Sequence, residues 1–228
     1  MKRTLLEELQ RARLEKVPVA VVTDLDTGAQ GLVYGDQLLA PQLTLGSSRV
    51  DEIRQLLRSA RSAMLADSSL FVRSYVADYR LLIVGAVHIA QALATLAVEC
   101  GYQVTVIDPR RAFATAERFH NVELCTQWPD EALARLAPDA QTAVVTLAHD
   151  PKIDDPALVA ALNSEAFYIG ALGSRRTHGK RVDRLTEWGL GDKLGRINAP
   201  IGLNLGGRSH AEIAVAILAQ LIQARYSG

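Results

Sequence analysis

The side chains able to do chemistry in this chain gather just after short apolar runs. They are the imidazoles of His88 and His149, the carboxylates of Asp108 and Asp150, and the guanidinium groups of Arg110, Arg175 and Arg176. Guanidinium forks match phosphate oxygens, imidazole donates to a phosphate or a polar ring, and a carboxylate can hold a ribose hydroxyl. Gly85, Gly170 and Gly173 stand beside them, where a missing side chain lets backbone approach a ligand. The set suits recognition rather than turnover. There is no nucleophile elbow, Walker loop or zinc-protease helix, and His149 and Asp150, as sequence neighbours, do not make an acid–base dyad. No catalytic residue and no metal ligand is assigned.

The elements that must position these groups follow from the hydropathy pattern. Residues 81–84 are apolar and stop at Gly85, a small-residue helix pattern runs from His88, and residues 104–107 end in Asp108. Strand, tight turn, helix, strand and carboxylate in that order build a mononucleotide-binding βαβ unit. Asp108 follows Gly85 by 23 residues, the spacing at which such an acid reaches a ribose. Gly85 and Ala90 fit the first and third glycine positions of the dinucleotide pattern, but Val87 stands at the second. A β-branched side chain there fills the space a pyrophosphate needs.

From residue 80 onward strands and helices alternate, with strands expected at 81–84, 103–107, 122–125, 142–147 and 166–169 and a last helix over 211–224. The expected class is α/β, a Rossmann-like, mostly parallel sheet covered on both faces. Residues 1–79 read as a small N-terminal α+β region, and residues 80–228 as the Rossmann-like domain. In the first region Leu5, Leu6, Leu9 and Leu14 suggest a helix, 17–23 a strand and Gly35-Asp36 a hairpin turn; 50–66 reads as a helix carrying Met64 on its face, and 70–77 as a strand.

In a doubly wound sheet, ligands bind beyond the carboxyl ends of the strands. There the chain has Gly85-Ala86-Val87-His88, Asp108-Pro109-Arg110-Arg111, Ala148-His149-Asp150-Pro151-Lys152 and Gly170-Ala171-Leu172-Gly173-Ser174-Arg175-Arg176-Thr177-His178. The last is the sharpest: two glycines, a capping Ser174, helix-start amides and two arginines form an anion cradle. The 198–209 loop leads into Ser209-x-x-Glu212, a capping-box spacing, and reads equally as a structural or a binding loop.

Composition narrows the class. Twenty-five basic and 25 acidic residues cancel, so nothing favours nucleic acid or an anionic membrane as partner. No apolar run is long enough to span a bilayer and residues 1–16 lack a signal-peptide pattern, so a cytoplasmic location is expected. Cys100 and Cys125 lack metal-ligand spacing and read as buried thiols.

Several of these motifs together resemble the XdhC/CoxI family of accessory proteins of xanthine and carbon monoxide dehydrogenases. They are Leu82-Ile83-Val84-Gly85-Ala86 with His88-Ile89-Ala90, Val106-Ile107-Asp108-Pro109-Arg110, and Phe113-Ala114-Thr115-Ala116-Glu117-Arg118-Phe119. Thr146-Leu147-Ala148-His149-Asp150-Pro151-Lys152, the 168–177 stretch and Ala199-Pro200-Ile201-Gly202-Leu203 belong with them. The resemblance implies an accessory protein that matures a molybdenum hydroxylase. Such a protein binds molybdenum cofactor (molybdopterin) as cargo, with a nucleotide as a further ligand, and delivers it to the apo-enzyme.

The implied binding set is Gly85, His88, Asp108, Arg110, His149, Asp150, Gly170, Gly173, Ser174, Arg175 and Arg176. The implied partners are the client hydroxylase and a cysteine desulfurase, and a homo-oligomer is expected. Two departures from the family pattern stand out: Val87 in place of a glycine, and no cysteine in the 45–52 turn. Two other readings remain open, an NAD(P)-dependent oxidoreductase and an assembly module that has lost ligand binding.

Overall fold

The structure, a computed structural model, describes residues 2–15, 17–35, 37–40, 42–76 and 78–226. The chain divides into two compact units, Met1–Ala77 and Asp78–Ser227.

The first unit holds α1 (Arg3–Leu14), β1 (Val19–Asp24), β2 (Gln30–Tyr34), β3 (Gln37–Leu39), α2 (Ser47–Arg58), β4 (Ala63–Met64) and β5 (Leu70–Tyr75). Its strands form one antiparallel sheet in the order β3-β2-β1-β5-β4. Successive side chains of a strand point to opposite faces. Val19 and Val21 accordingly pack with Leu5, Leu9 and Ala12 of α1, while Ala20 and Val22 pack with Val50, Ile53 and Leu57 of α2. Helices on both faces explain why β1 is apolar at consecutive positions.

Details differ from the sequence reading. The buried stripe of α1 is Leu5–Leu9–Ala12, and Leu6 and Leu14 are exposed. Helix α2 stops at Arg58, because Ala60 turns left-handed (φ +52°). Met64 therefore lies on β4, exposed, and not on a helix. The β2–β3 hairpin forms with Tyr34 opposite Gln37 and Gly35 at φ +52°; Asp36 lies outside the described residues.

The second unit holds β6 (Arg80–Val84), α3 (His88–Glu99), β7 (Gln103–Ile107), β8 (Glu123–Cys125), α4 (Pro129–Leu136), β9 (Thr142–Thr146) and α5 (Pro151–Leu162). It continues with β10 (Tyr168–Ala171), α6 (Arg175–Glu187), a 3-10 turn (Gly191–Arg196), β11 (Ile197–Asn198) and α7 (His210–Tyr226). Every pairing in its six-stranded sheet is parallel, in the order β11-β10-β9-β6-β7-β8. The Rossmann-like expectation holds. The chain builds outward from β6 through β7 to β8, then returns to β9 on the other side of β6. The switch point, where such folds bind ligands, lies between the tips of β6 and β9.

Helix α3 packs along α7, and α4 along α5. Leu82, Val84 and Val144 share one core with Ile153, Leu158, Leu162 and Leu185. Cys125 is buried, but Cys100 caps the C-terminus of α3 in solvent, against the expectation of two buried thiols. Among the described residues no helix is long and apolar enough to cross a membrane.

Candidate functional site

Gly85 ends β6 with φ +104°, a conformation L side chains rarely adopt. A Cβ on Gly85 would also lie 2.6 Å from the Ala148 nitrogen. The tips of β6 and β9 thus meet backbone to backbone at the switch point, and glycine is what permits the approach.

Asp108 follows β7 and is fully buried. Its Oδ2 accepts from the Ala86 amide and Arg110 Nη2, both at 2.8 Å. Its Oδ1 accepts from the Arg110 amide and Arg110 Nε, both at 2.9 Å. Burial works to raise this carboxyl, but the Arg110 fork and the two amides outweigh it and hold it below the usual carboxylate range. The sequence reading aimed Asp108 at a ribose hydroxyl. The structure gives its oxygens a different task, pinning the Gly85-Ala86 turn and fixing Arg110, whose guanidinium lies 4.6 Å above the Phe113 ring.

Helix α3 begins after Val87 with no side-chain cap. Helix α4 likewise starts without one, after Trp128, whereas the three helices that follow it are capped. Asp150 caps α5 by accepting from the Lys152 amide, and Ser174 caps α6 by accepting from the Thr177 amide. Ser209 and Glu212 cap α7 reciprocally, as their spacing predicts. First-turn amides that no side chain occupies remain open to a ligand anion, and the helix dipole favours one there.

His88, the first residue of α3, is exposed and stacks on His210, with centroids 5.2 Å apart and ring planes 16° apart. Sequence reasoning missed His210, although the capping box just before it was a usable signal that it opens a helix. His149 is exposed and left-handed (φ +60°), uncommon for a residue with a side chain.

Gly170 is buried within β10, and a Cβ there would run into Ile201 and Tyr168. Its smallness serves packing, not ligand approach, which corrects the cradle reading at that position. Gly173 does turn with positive φ (+142°) directly before α6. Arg175 and Arg176 are exposed on the first turn of α6 and make no ion pair among the described residues.

Below these tips lies a charged layer that the sequence reading did not single out. Asp154, buried on α5, accepts from the Ala148 amide at 3.2 Å and from the amide of His149. Arg181, buried on α6, approaches it at 3.9 Å. Burial outweighs their attraction, pushing the Asp154 carboxyl up to about 6 and the Arg181 guanidinium down. The adjacent Asp155 instead takes a two-pronged hydrogen bond from Arg184 at 2.6 and 3.0 Å.

A groove of about 470 Å³ is lined by Leu96 of α3, Leu205, and Ala211 and Val215 of α7 among others. Among the described residues, no three His, Cys, Asp or Glu side chains are arranged to hold a metal ion.

Residues 81–221 match the family model of the XdhC Rossmann domain. The chain belongs to the XdhC family. Two curated relatives are similar over about two thirds of this chain. The molybdenum cofactor insertion chaperone PaoD of Escherichia coli (strain K12) is 34% identical over 147 residues, 64% of this chain and 40% of that protein. A probable xanthine dehydrogenase subunit from Bacillus subtilis (strain 168) is 30% identical over 161 residues, 69% of this chain and 46% of that one. The chain thus spans less than half the length of either relative. Among solved structures, a xanthine dehydrogenase from Bacillus halodurans superposes with a TM-score of 0.74 at 21% identity, covering 98% of this chain and 68% of that one. That likeness is one of fold.

Proposed function

We propose that this XdhC-family chain serves in the maturation of a molybdenum hydroxylase, binding molybdenum cofactor at the switch point and passing it to the apo-enzyme. The observation that carries the reading is the uncapped N-terminus of α3 at the β6–β9 junction, the end beside the stacked His88 and His210; in this unit α5, α6 and α7 are capped and α4 is not. An anionic ligand is what such an end attracts. The stacked imidazoles of His88 and His210 border it, and the exposed guanidinium groups of Arg175 and Arg176 have no ion-pair partner among the described residues to give up. Molybdopterin, a phosphate ester of a polar heterocycle, asks for such donors.

The name of the Escherichia coli relative supports the same reading, as does that of the Bacillus subtilis one. The oxidoreductase alternative has less support, since a ribose contact at Asp108 requires breaking its bonds to Ala86 or Arg110. In this reading the client is the hydroxylase and the setting is the cytoplasm; a cysteine desulfurase acts on the same cargo, and the protein is a homo-oligomer.

The test is retention and transfer. The purified chain is mixed with molybdenum cofactor, separated from free cofactor by gel filtration, assayed for bound pterin and then offered to apo-hydroxylase. Bound pterin and restored hydroxylase activity are expected; absence of both would refute the proposal.

A further inference from the structure

Three buried polar groups lack a hydrogen-bond partner on one side of the parallel sheet. Arg181 is 3% exposed; its Nη2 donates to the Leu172 carbonyl at 3.1 Å, but Nε and Nη1 meet no acceptor. Thr146 is 0% exposed, and its Oγ1 is unpartnered at the end of β9. Nδ1 of His178, three residues before Arg181 on α6, is buried and unpartnered as well.

These groups converge. Thr146 shares the sheet face of Val144, which packs with Ile153, Ala157 and Leu185 of α5 and α6. Arg181 lies one turn before Leu185, on the same buried side of α6. The Leu172 amide donates to the Thr146 carbonyl, so the residue that Arg181 grips is the one bonded to Thr146. Asp154, beside Arg181, holds the amide of Ala148. The guanidinium therefore lies beneath the tips of β9 and β10, between the 148–150 and 172–174 loops.

A buried guanidinium with two nitrogens unmet is costly, and at 3.9 Å Asp154 does not hydrogen-bond to it. The unmet groups are the N–H donors of the guanidinium, a hydroxyl that can donate, and an imidazole nitrogen that donates in one of its two tautomers. Several converging donors around one cation are met together by a charged acceptor with several oxygens.

We propose that Arg181, Thr146 and His178 form a second, inner site for a tetrahedral oxyanion, with Arg181 as its anchor. The donors themselves carry this inference. The occupant is a free tetrahedral oxyanion, inorganic phosphate or sulfate, separate from the cargo at the end of α3 and independent of the cofactor reading.

Sulfate is the probe, because its charge stays constant over the working pH range. Titration of the full chain by calorimetry should reveal saturable binding that depends on Arg181 and Thr146, as any binding at the open end of α3 would not. Arg181→Lys keeps the charge but loses the fork and should weaken sulfate about tenfold, as loss of a charge-assisted contact does. Thr146→Val removes an unpartnered hydroxyl at nearly constant shape, so the variant should fold normally while binding sulfate several-fold more weakly. No saturable binding by the wild type would overturn the site. Unchanged affinity in both variants would do the same, as would a crystal structure grown in sulfate with only ordered water on Arg181 Nη1. Arg181-dependent sulfate binding in a protein that retains no molybdenum cofactor would uphold the site and remove the cofactor reading. Cofactor retention with unchanged sulfate affinity in the variants would do the reverse.

Discussion

Asp108 and Arg110 are joined by two parallel hydrogen bonds of 2.9 and 2.8 Å, while the same carboxylate holds the amide of Ala86. One side chain thereby ties the turn after β6 to the turn after β7. Asp108→Asn should lower stability at neutral pH by about 2 kcal/mol, less than the loss of a fully buried pair because Arg110 can turn toward water. The depressed carboxyl pKa fixes the sign: the stabilisation is present above the ordinary carboxylate range and fades as pH falls through the lower folded value. Urea unfolding of both proteins at pH 7 and pH 3 checks this, the gap between them narrowing in acid. A variant of unchanged stability would show the carboxylate free for a ligand.

Asp154 has the opposite linkage. Its carboxyl is pushed up to about 6 by burial, from an ordinary 3.8. Well below pH 4 both folded and unfolded forms are protonated. Between about 4 and 6 the unfolded chain ionises first, so stability falls as pH rises, by an amount on the order of 3 kcal/mol. Asp154→Asn should remove that decline. Unfolding free energies measured from pH 4 to pH 7 would show it, and parallel curves for the two proteins would contradict the burial effect.

Val87, the N-cap residue of α3, stands at the second glycine position of the dinucleotide pattern. NADH should bind the unmodified protein no better than about millimolar, roughly −4 kcal/mol, and Val87→Gly should improve it. Micromolar binding by the unmodified chain in calorimetry would revive the oxidoreductase reading.

Arg175 and Arg176 are solvent-exposed, so each contact they lend an anion is screened. Replacing both by alanine should weaken cofactor retention by about 1 kcal/mol per contact, with the difference shrinking in high salt. A salt-independent loss would mean that they act from a buried position.

The parallel sheet was legible because its strands are buried on both faces and read as unbroken apolar runs, as in Leu81-Leu82-Ile83-Val84. Element ends were less so. The strand expected at 166–169 is Tyr168–Ala171, and the two-residue β11 has too little pattern to stand out. The site was half legible. Tips bearing His88, Asp108, His149 and Arg175 follow from strand order alone. Which carboxylate is already occupied, and that Gly170 makes room for Ile201, depends on contacts distant in sequence. Arg181 was hidden for a physical reason: a charged residue on a polar helix reads as solvent-facing, and only tertiary packing buries it.

We propose that the open end of α3 and the loops around it hold a cofactor for transfer. The most direct measurement is pterin carried by the purified chain through gel filtration, followed by activity of the recipient apo-hydroxylase. The account predicts about one pterin per site and hydroxylase activity that rises with the amount of loaded protein added. Elution free of pterin, with apo-hydroxylase no more active than with free cofactor alone, would contradict it.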